Sequence, residues 1–311
     1  MTETTIGIDI SKDHLDVHRL PGDEHKRFDN TAAGHKALIR WIGAVPARVV
    51  YEPTGPYHRK LEVQLAAAGM PIVKVNPRQA KRFAEATGQR AKTDRLDAAM
   101  LARMGALLGL EPRPVRSAIL NDLKDLHLAR EALVKDRTAA KNRGKSISLP
   151  LLKRQNEARL RQINQQLEAI DAAIKALIDA DPALSARFAI LVSIPGVAAV
   201  TAAMLVTEMP ELGSLDPRQA AALAGLAPIT RQSGQWKGKA FVHGGRKQVR
   251  QALYMPALVA TRFNPDLKAK YQQLVATGKA PKQAITAVMR KLIVLANALL
   301  KKGAPWQPSS A

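Results

Sequence analysis

Four carboxylates in the first third of the chain stand where a metal-assisted reaction could use them. They are Asp9 in Gly7-Ile8-Asp9-Ile10, Glu52 in Val50-Tyr51-Glu52-Pro53, and Asp94 and Asp97 in Lys92-Thr93-Asp94-Arg95-Leu96-Asp97-Ala98. Residues three apart at a helix start project from one face. Two carboxylates there, joined by two from strand ends, would make an oxygen-rich pocket suited to Mg²⁺ or Mn²⁺. Bare carboxylates ~4 Å apart repel by roughly 4 kcal/mol per pair at an effective dielectric of about 20, so the cluster calls for protons or cations. Divalent ions bridging it could stabilise charge on a phosphodiester during displacement. A plainer reading competes. Asp94 could be an N-cap, Asp97 a residue favoured by the helix dipole, and Asp9 a partner of Lys12.

A second set lies far downstream, in Pro228-Ile229-Thr230-Arg231-Gln232-Ser233-Gly234-Gln235-Trp236-Lys237-Gly238. Ser233, in a loop bracketed by Gly225 and Gly238, can present its hydroxyl to a substrate. Arg231, Lys237, Lys239, Arg246, Lys247 and Arg250 surround it in sequence and can neutralise phosphate oxygens. A nucleophilic serine needs activation, and no obvious base follows. His243 is nearest and reads better as a structural residue or a phosphate contact. Without an activator the Ser-Gly pair is an ordinary turn. A third group, Lys141, Arg143, Lys145, Lys153 and Arg154, is either a solvated helix end or a nucleic-acid contact.

These residues need elements to hold them. Thr5–Ile10 and His14–Leu20 read as strands, and Pro21-Gly22-Asp23 as a turn into a third strand near Lys26–Phe28. Asn30 or Thr31 can cap a helix over Ala33–Ile42. Val49–Glu52 reads as a buried strand, Pro56 as the first turn of a helix ending near Gly69, and Ile72–Val75 as a strand. Pro77 opens a helix, and Thr93 or Asp94 opens the next. The order β-β-β-α-β-α-β-α is that of the RNase H-like α/β fold, over residues 1–115. In 116–182, a helix over Ala118–Asn142 and a second with Leu160, Ile163, Leu167, Ile170, Ile174 and Leu177 on a 3-4 seam predict a helical hairpin or coiled coil. The remainder, 183–311, is mainly helical. Its Ile194-Pro195-Gly196-Val197 turn is either a phosphate-holding helix-hairpin-helix, with Ala198 in place of the second glycine, or a packed turn without nucleic acid.

Composition narrows the partner. The 311 residues carry a formal net charge of +22 and a pI near 10.5, which favours a polyanion. From Pro217 to Ala311 there are 16 Lys and Arg against one acid, Asp266. The absence of cysteine excludes disulfides, thiolate catalysis and the usual structural zinc sites. No secretory pattern opens the chain, and Ile190–Val206 is too short and broken for a membrane span, so the sequence reads as cytoplasmic.

Gly-Ile-Asp-Ile-Ser-Lys at 7–12, Tyr-Glu-Pro-Thr-Gly-Pro-Tyr at 51–57 and Lys-Thr-Asp-Arg-Leu-Asp-Ala at 92–98 together resemble the DEDD-type insertion-sequence transposases of the IS110 family. Ser-Ile-Pro-Gly-Val, Ala-Gly-Leu-Ala-Pro, Arg-Gln-Ser-Gly and Arg-Gln-Ala-Leu-Tyr-Met-Pro-Ala are similar to that family's C-terminal domain. The resemblance runs through nearly the whole chain in order. It implies a RuvC-like domain, a coiled-coil connector and a C-terminal transposase domain. It further implies Mg²⁺ on Asp9, Glu52, Asp94 and Asp97, and Ser233 as a nucleophile that forms a covalent phosphoserine with DNA. A composite site in dimers assembling to tetramers, a structured noncoding guide RNA and a nucleoid location are implied too. A metal-dependent junction nuclease, a DNA invertase of the same family and an architectural nucleic-acid binder are the competing expectations.

Overall fold

Alternation along the first strands decides which side chains meet which layer. The computed structural model describes residues 4–43, 46–88, 93–112 and 114–308 and divides into two compact units, Met1–Arg116 and Ser117–Ala311. The first opens with an antiparallel meander of β1 (Thr4–Ile10), β2 (His14–Leu20) and β3 (Glu24–Asp29). It continues through α1 (Ala32–Ile42), β4 (Ala47–Tyr51), α2 (Arg59–Ala67), β5 (Ile72–Lys74), α3 (Pro77–Ala86) and α4 (Asp94–Leu108). β4 pairs parallel to β1, and β5 to β4, giving a five-stranded mixed sheet in the order β3-β2-β1-β4-β5. The expected element order is present and is compatible with an RNase H-like fold. Strand ends shift by one or two residues, leaving Glu52 just beyond β4, and α2 starts at Arg59, because residues 55–58 form a turn rather than a helix opened by Pro56.

Ile6, Ile8 and Ile10 of β1 join Leu15, Val17, Val49 and Tyr51 in a core shared with Leu38 of α1 and Leu61 and Leu65 of α2. Val50 and Val73, which alternate with those positions, pack with Ala80 of α3 and Met100, Leu101 and Met104 of α4. Gly7 lies on this second side. A Cβ there would stand 2.1 Å from the Ala98 carbonyl oxygen and 2.4 Å from the Ala102 nitrogen. On α4 itself, a Cβ at Gly105 would stand 2.5 Å from Val50 Cγ2 and 2.9 Å from Thr5 Cγ2. These two missing side chains let α4 lie directly on β1, running antiparallel to it. The N-terminus of α4 is thereby carried toward Asp9.

The second unit starts with α5 (Ala118–Gly144) and α6 (Pro150–Asp179), joined by a short loop. Arg130 Nε donates to Asp171 Oδ1 across the pair at 2.6 Å. On the expected seam of α6, Ile163, Leu167 and Ile174 are buried, with Ile178 completing the row, while Ile170 and Leu177 are partly covered. Leu123, Ile174 and Ile178 share a small core with Ala203. Then come α7 (Pro182–Val192), α8 (Ala199–Glu208) and α9 (Pro217–Leu223). Four two-residue strands follow: β6 (Pro228–Ile229), β7 (Gln232–Ser233), β8 (Trp236–Lys237) and β9 (Phe241–Val242). The unit ends with α10 (Lys247–Ala252), α11 (Tyr254–Phe263), α12 (Pro265–Ala276) and α13 (Pro281–Lys302). By length and composition α13 could cross a membrane. Here its apolar face, including Val288, Leu292, Ile293 and Ala296, is buried in the core of this unit. Gly196, between α7 and α8, abuts α11: a Cβ would stand 2.6 Å from the Pro256 carbonyl oxygen. Close helix packing therefore accounts for this glycine without a phosphate.

Candidate functional site

Thr93, not Asp94, caps α4: its side chain accepts from the Leu96 amide at 3.3 Å. Capping therefore does not account for Asp94 and Asp97, which occupy the first turn where the helix dipole favours negative charge. Asp9 lies on β1 toward α4, and Glu52 follows the last residue of β4, half-buried. The Asp9 carboxyl is raised from 3.8 to about 6, chiefly by burial and then by the charges of Asp94, Asp97, Asp16 and Glu52 in that order. No ion pair links Asp9 to Lys12 among the described residues. The other three expected acids thus act electrostatically on Asp9, and a fifth joins them.

That fifth acid is Asp16, which sequence reasoning missed. It stands directly across the β1–β2 ladder from Asp9 and is only 3% exposed. Its oxygens accept from His25 Nε2 at 3.0 Å and from Arg27 through Nε and the terminal nitrogen, the latter at 2.9 Å. Arg27 also reaches to 3.9 Å from Asp94. The signal was present in β2, where Leu15 and Val17 face one core and Asp16 between them must face the other way. A further tie holds the loops beyond the acids. Asn30 Nδ2 donates to the carbonyls of Ser11 at 2.8 Å and Tyr57 at 3.3 Å, and its Oδ1 stands 2.7 Å from Nε2 of the fully buried His35. Ser11 follows the Asp9 strand and Tyr57 follows Glu52, so one side chain fastens both segments.

Among the described residues, no group of three or more His, Asp or Glu side chains stands ready to hold a metal ion. The donor set itself is all oxygen, and its raised proton affinity at Asp9 is the mark of a negative site that a hard cation would relieve. The chemistry of the residues fits a divalent ion of the Mg²⁺ class. Lys92 lies outside the described residues.

Ser233 sits at the tip of a β-hairpin arm. β6 pairs with β9 at the base and β7 with β8 at the tip, where Ser233 opposes Trp236 across a Gly234–Gln235 turn with φ +55° at Gly234. The serine is exposed, and its hydroxyl makes no hydrogen bond to another described residue. A glycine crossing closes the root of the arm: a Cβ on Gly245 would stand 2.2 Å from the Gly225 nitrogen. Arg231, Lys239 and Lys247 are exposed, and Arg231 lies 4.8 Å from the Phe241 ring centre. The Lys237 side chain lies outside what is described. Arg246 takes a different part from the expected one. It donates to Glu211 at 2.6 and 2.7 Å and to the Glu208 carbonyl at 2.6 Å, a strut at the root of the arm rather than a free phosphate ligand. Arg250 donates to the Gly244 carbonyl at 2.7 Å. Lys141 and Arg143 are exposed on the last turn of α5.

Comparison with known proteins connects these two sets of residues. A family model of the DEDD IS110 type, described as Transposase, matches residues 6–149, and one described as Transposase IS116/IS110/IS902 family matches residues 188–272. The first segment holds all the acids and the second holds the serine arm, which puts both within the transposase class. Pilin gene-inverting proteins of Moraxella bovis and Moraxella lacunata are each 30% identical to this chain, over 98% of it and 98% of their own length. The insertion element IS110 uncharacterized 43.6 kDa protein of Streptomyces coelicolor is 34% identical over 46% of this chain and 35% of its own. The chain belongs to the IS110 family of transposases and DNA-inverting proteins.

Proposed function

We propose that the protein exchanges DNA strands through a covalent phosphoserine on Ser233, with Asp9, Glu52, Asp94 and Asp97 holding Mg²⁺ or Mn²⁺. The observation that supports this most directly is at Asp9, where burial and then four neighbouring carboxylates raise the pKa to about 6. A site of that kind is relieved by a cation. When bound, the ion would supply Lewis-acid stabilisation of phosphate oxygens and make a serine hydroxyl more acidic. The residues do the rest. Ser233 Oγ forms a bond to phosphorus as the bond from phosphorus to a deoxyribose oxygen breaks, and the serine proton is transferred, in net, to that leaving oxygen. One phosphodiester replaces another, so the deoxyribose hydroxyl of a partner strand can reverse the step and reseal the chain without an energy source.

Because the Ser233 hydroxyl meets no base among the described residues, its activation falls to the acids, which in this reading belong to another protomer of a dimer assembling to a tetramer. Arg231, Lys237, Lys239, Lys247 and Arg250, with Lys141 and Arg143, hold backbone phosphates of donor and target DNA and of a structured noncoding guide RNA. The test is to express the protein with its flanking noncoding DNA, supply donor and target plasmids with Mg²⁺, and sequence the junctions. A protein–DNA adduct and joined products are expected, and Ser233→Ala and Asp97→Ala should each abolish both. Recombination, or nicked DNA with free 5′-phosphates, that survives Ser233→Ala would replace this mechanism with that of a hydrolytic nuclease. A second reading, inversion of a DNA segment, is favoured by the end-to-end match with the pilin gene-inverting proteins. It uses the same residues and differs only in how the two sites are arranged on DNA.

A further inference from the structure

Of the three tryptophans, two are explained by packing. Trp41 lies against Phe28 and under the Arg19 guanidinium, and Trp306 packs on the core of the second unit. Trp236 is different. It is 60% exposed at the tip of the arm, directly across the hairpin from Ser233. Its ring is nonetheless seated, because it rests on Gly238, where a Cβ would come within 2.5 Å of the ring carbon Cη2. Gly238 is itself fixed by its N–H, which donates to the Arg231 carbonyl at 2.9 Å. One edge of the indole is thus held against backbone while most of the ring is open. Ile229, Phe241 and Val242 are also exposed along the arm, and Arg231 sits over Phe241. Exposed aromatic rings interleaved with cations are the usual means of gripping single-stranded nucleic acid, the rings stacking on bases and the cations meeting phosphates.

We infer that Trp236 is a base-stacking platform: an unstacked DNA base lies on the open face of its indole, and this fixes the neighbouring phosphodiester beside Ser233. Side chains directly opposed across a hairpin have Cβ atoms about 5 Å apart, so a base on the ring brings its own phosphates within reach of the serine. Stacking does not depend on base identity, so this grip would be indifferent to sequence. Trp236 is on this view a positioning residue for the reaction proposed above, and the inference rests on that reading only in making DNA the ligand.

The experiment measures binding by the full-length protein of a fluorescent thymidine oligonucleotide and of a duplex carrying the same number of phosphates, each at two salt concentrations. Trp236→Ala should weaken single-strand binding roughly ten- to a hundredfold, leave duplex binding within about twofold, and keep the salt slope, because no phosphate contact is lost. Trp236→Phe should recover most of the loss, and Gly238→Ala, which displaces the ring, should reproduce part of it. Equal losses on both DNAs, no loss on either, or a change in oligomeric mass with single-strand binding intact would each overturn the inference. The two proposals fail separately. Trp236 dependence in a protein whose adduct survives Ser233→Ala removes the phosphoserine and leaves the platform. An adduct that requires Ser233, with binding indifferent to Trp236, removes the platform and leaves the phosphoserine.

Discussion

The acid-bearing face of the first unit and the serine arm of the second are positioned by opposite means. Around Asp9 every placement is backed by a core. β1 is central in its sheet, α4 lies on it through Gly7 and Gly105, and Asp16 is buried across the ladder. The arm has no core of its own. Its strands are two residues long, its apolar side chains are exposed, and its geometry comes from a glycine crossing and the Arg246–Glu211 strut at its root. Under the proposed mechanism, carboxylates that share a cation need rigid spacing against their own repulsion, and a nucleophile that reaches a separate substrate can stand on a freer support. The contrast makes a clear claim: backbone changes near the acids should unfold the unit, and backbone changes near the serine should alter only the arm.

The largest effect is expected at Gly7. An alanine there places a methyl group 2.1 Å from a backbone oxygen, so α4 must lift from β1. A loss of about 3 kcal/mol in thermal or denaturant unfolding follows, with recombination abolished. A near-normal melting temperature would show that α4 is not held by this contact. Asn30→Ala comes next. It leaves Nε2 of the buried His35 without its partner and frees the Ser11 and Tyr57 loops, at a cost of about 2 kcal/mol. Its distinguishing mark would be a raised Mg²⁺ requirement for strand exchange, which a purely structural loss elsewhere would not produce.

Much of the fold was legible because its signals are local. The apolar run Thr5–Ile10 marked β1, Thr93 or Asp94 marked the start of α4, and in the second unit the 3-4 spacing marked α6. What escaped depends on pairs distant in sequence. Asp16 belongs to the cluster only through the β1–β2 register, and Asn30 matters only because Ser11 and Tyr57 approach it in the fold. Arg246 read as a phosphate ligand because its sequence neighbours are basic, whereas its partner, Glu211, is 35 residues away. The arm was read as a loop since strands of two residues carry no usable periodicity. A turn at Ser233-Gly234 was within reach of the sequence, but the strand pairing around it and the glycine crossing at its root were not.

The third effect has the opposite sign. The folded pKa of Asp9, about 6, lies above its ordinary value of 3.8, so between those limits the folded state binds more protons than the unfolded chain. This group's contribution is therefore most favourable near pH 4 and is lost as pH rises through 6. Asp9→Asn should leave stability at pH 4 unchanged and raise it above pH 6 by about 1 kcal/mol once solvent screening is allowed for, while ending strand exchange. Mg²⁺ should raise the melting temperature of the wild-type protein above pH 6 and do so much less in the variant. A pH-independent difference between the two would remove the electrostatic argument for the cluster.

The smallest effect on folding, and the sharpest contrast with Gly7, is expected at Gly234. Its φ of +55° strains any side chain, yet a Cβ there meets nothing within 4 Å. Alanine should cost roughly 1 kcal/mol in the turn alone. An element that opens independently of the core bears such a cost locally, so the global melting temperature should stay within about a degree. The adduct rate should nevertheless fall severalfold, because β7 and β8 no longer hold Ser233 opposite Trp236. Amide hydrogen exchange would locate the change, faster from Gln232 to Lys237 and unaltered in α8 and α13. If Gly234→Ala instead lowered the melting temperature as far as Gly7→Ala, the arm would be part of the folding core, and the division of labour between rigid acids and a freer serine would not hold.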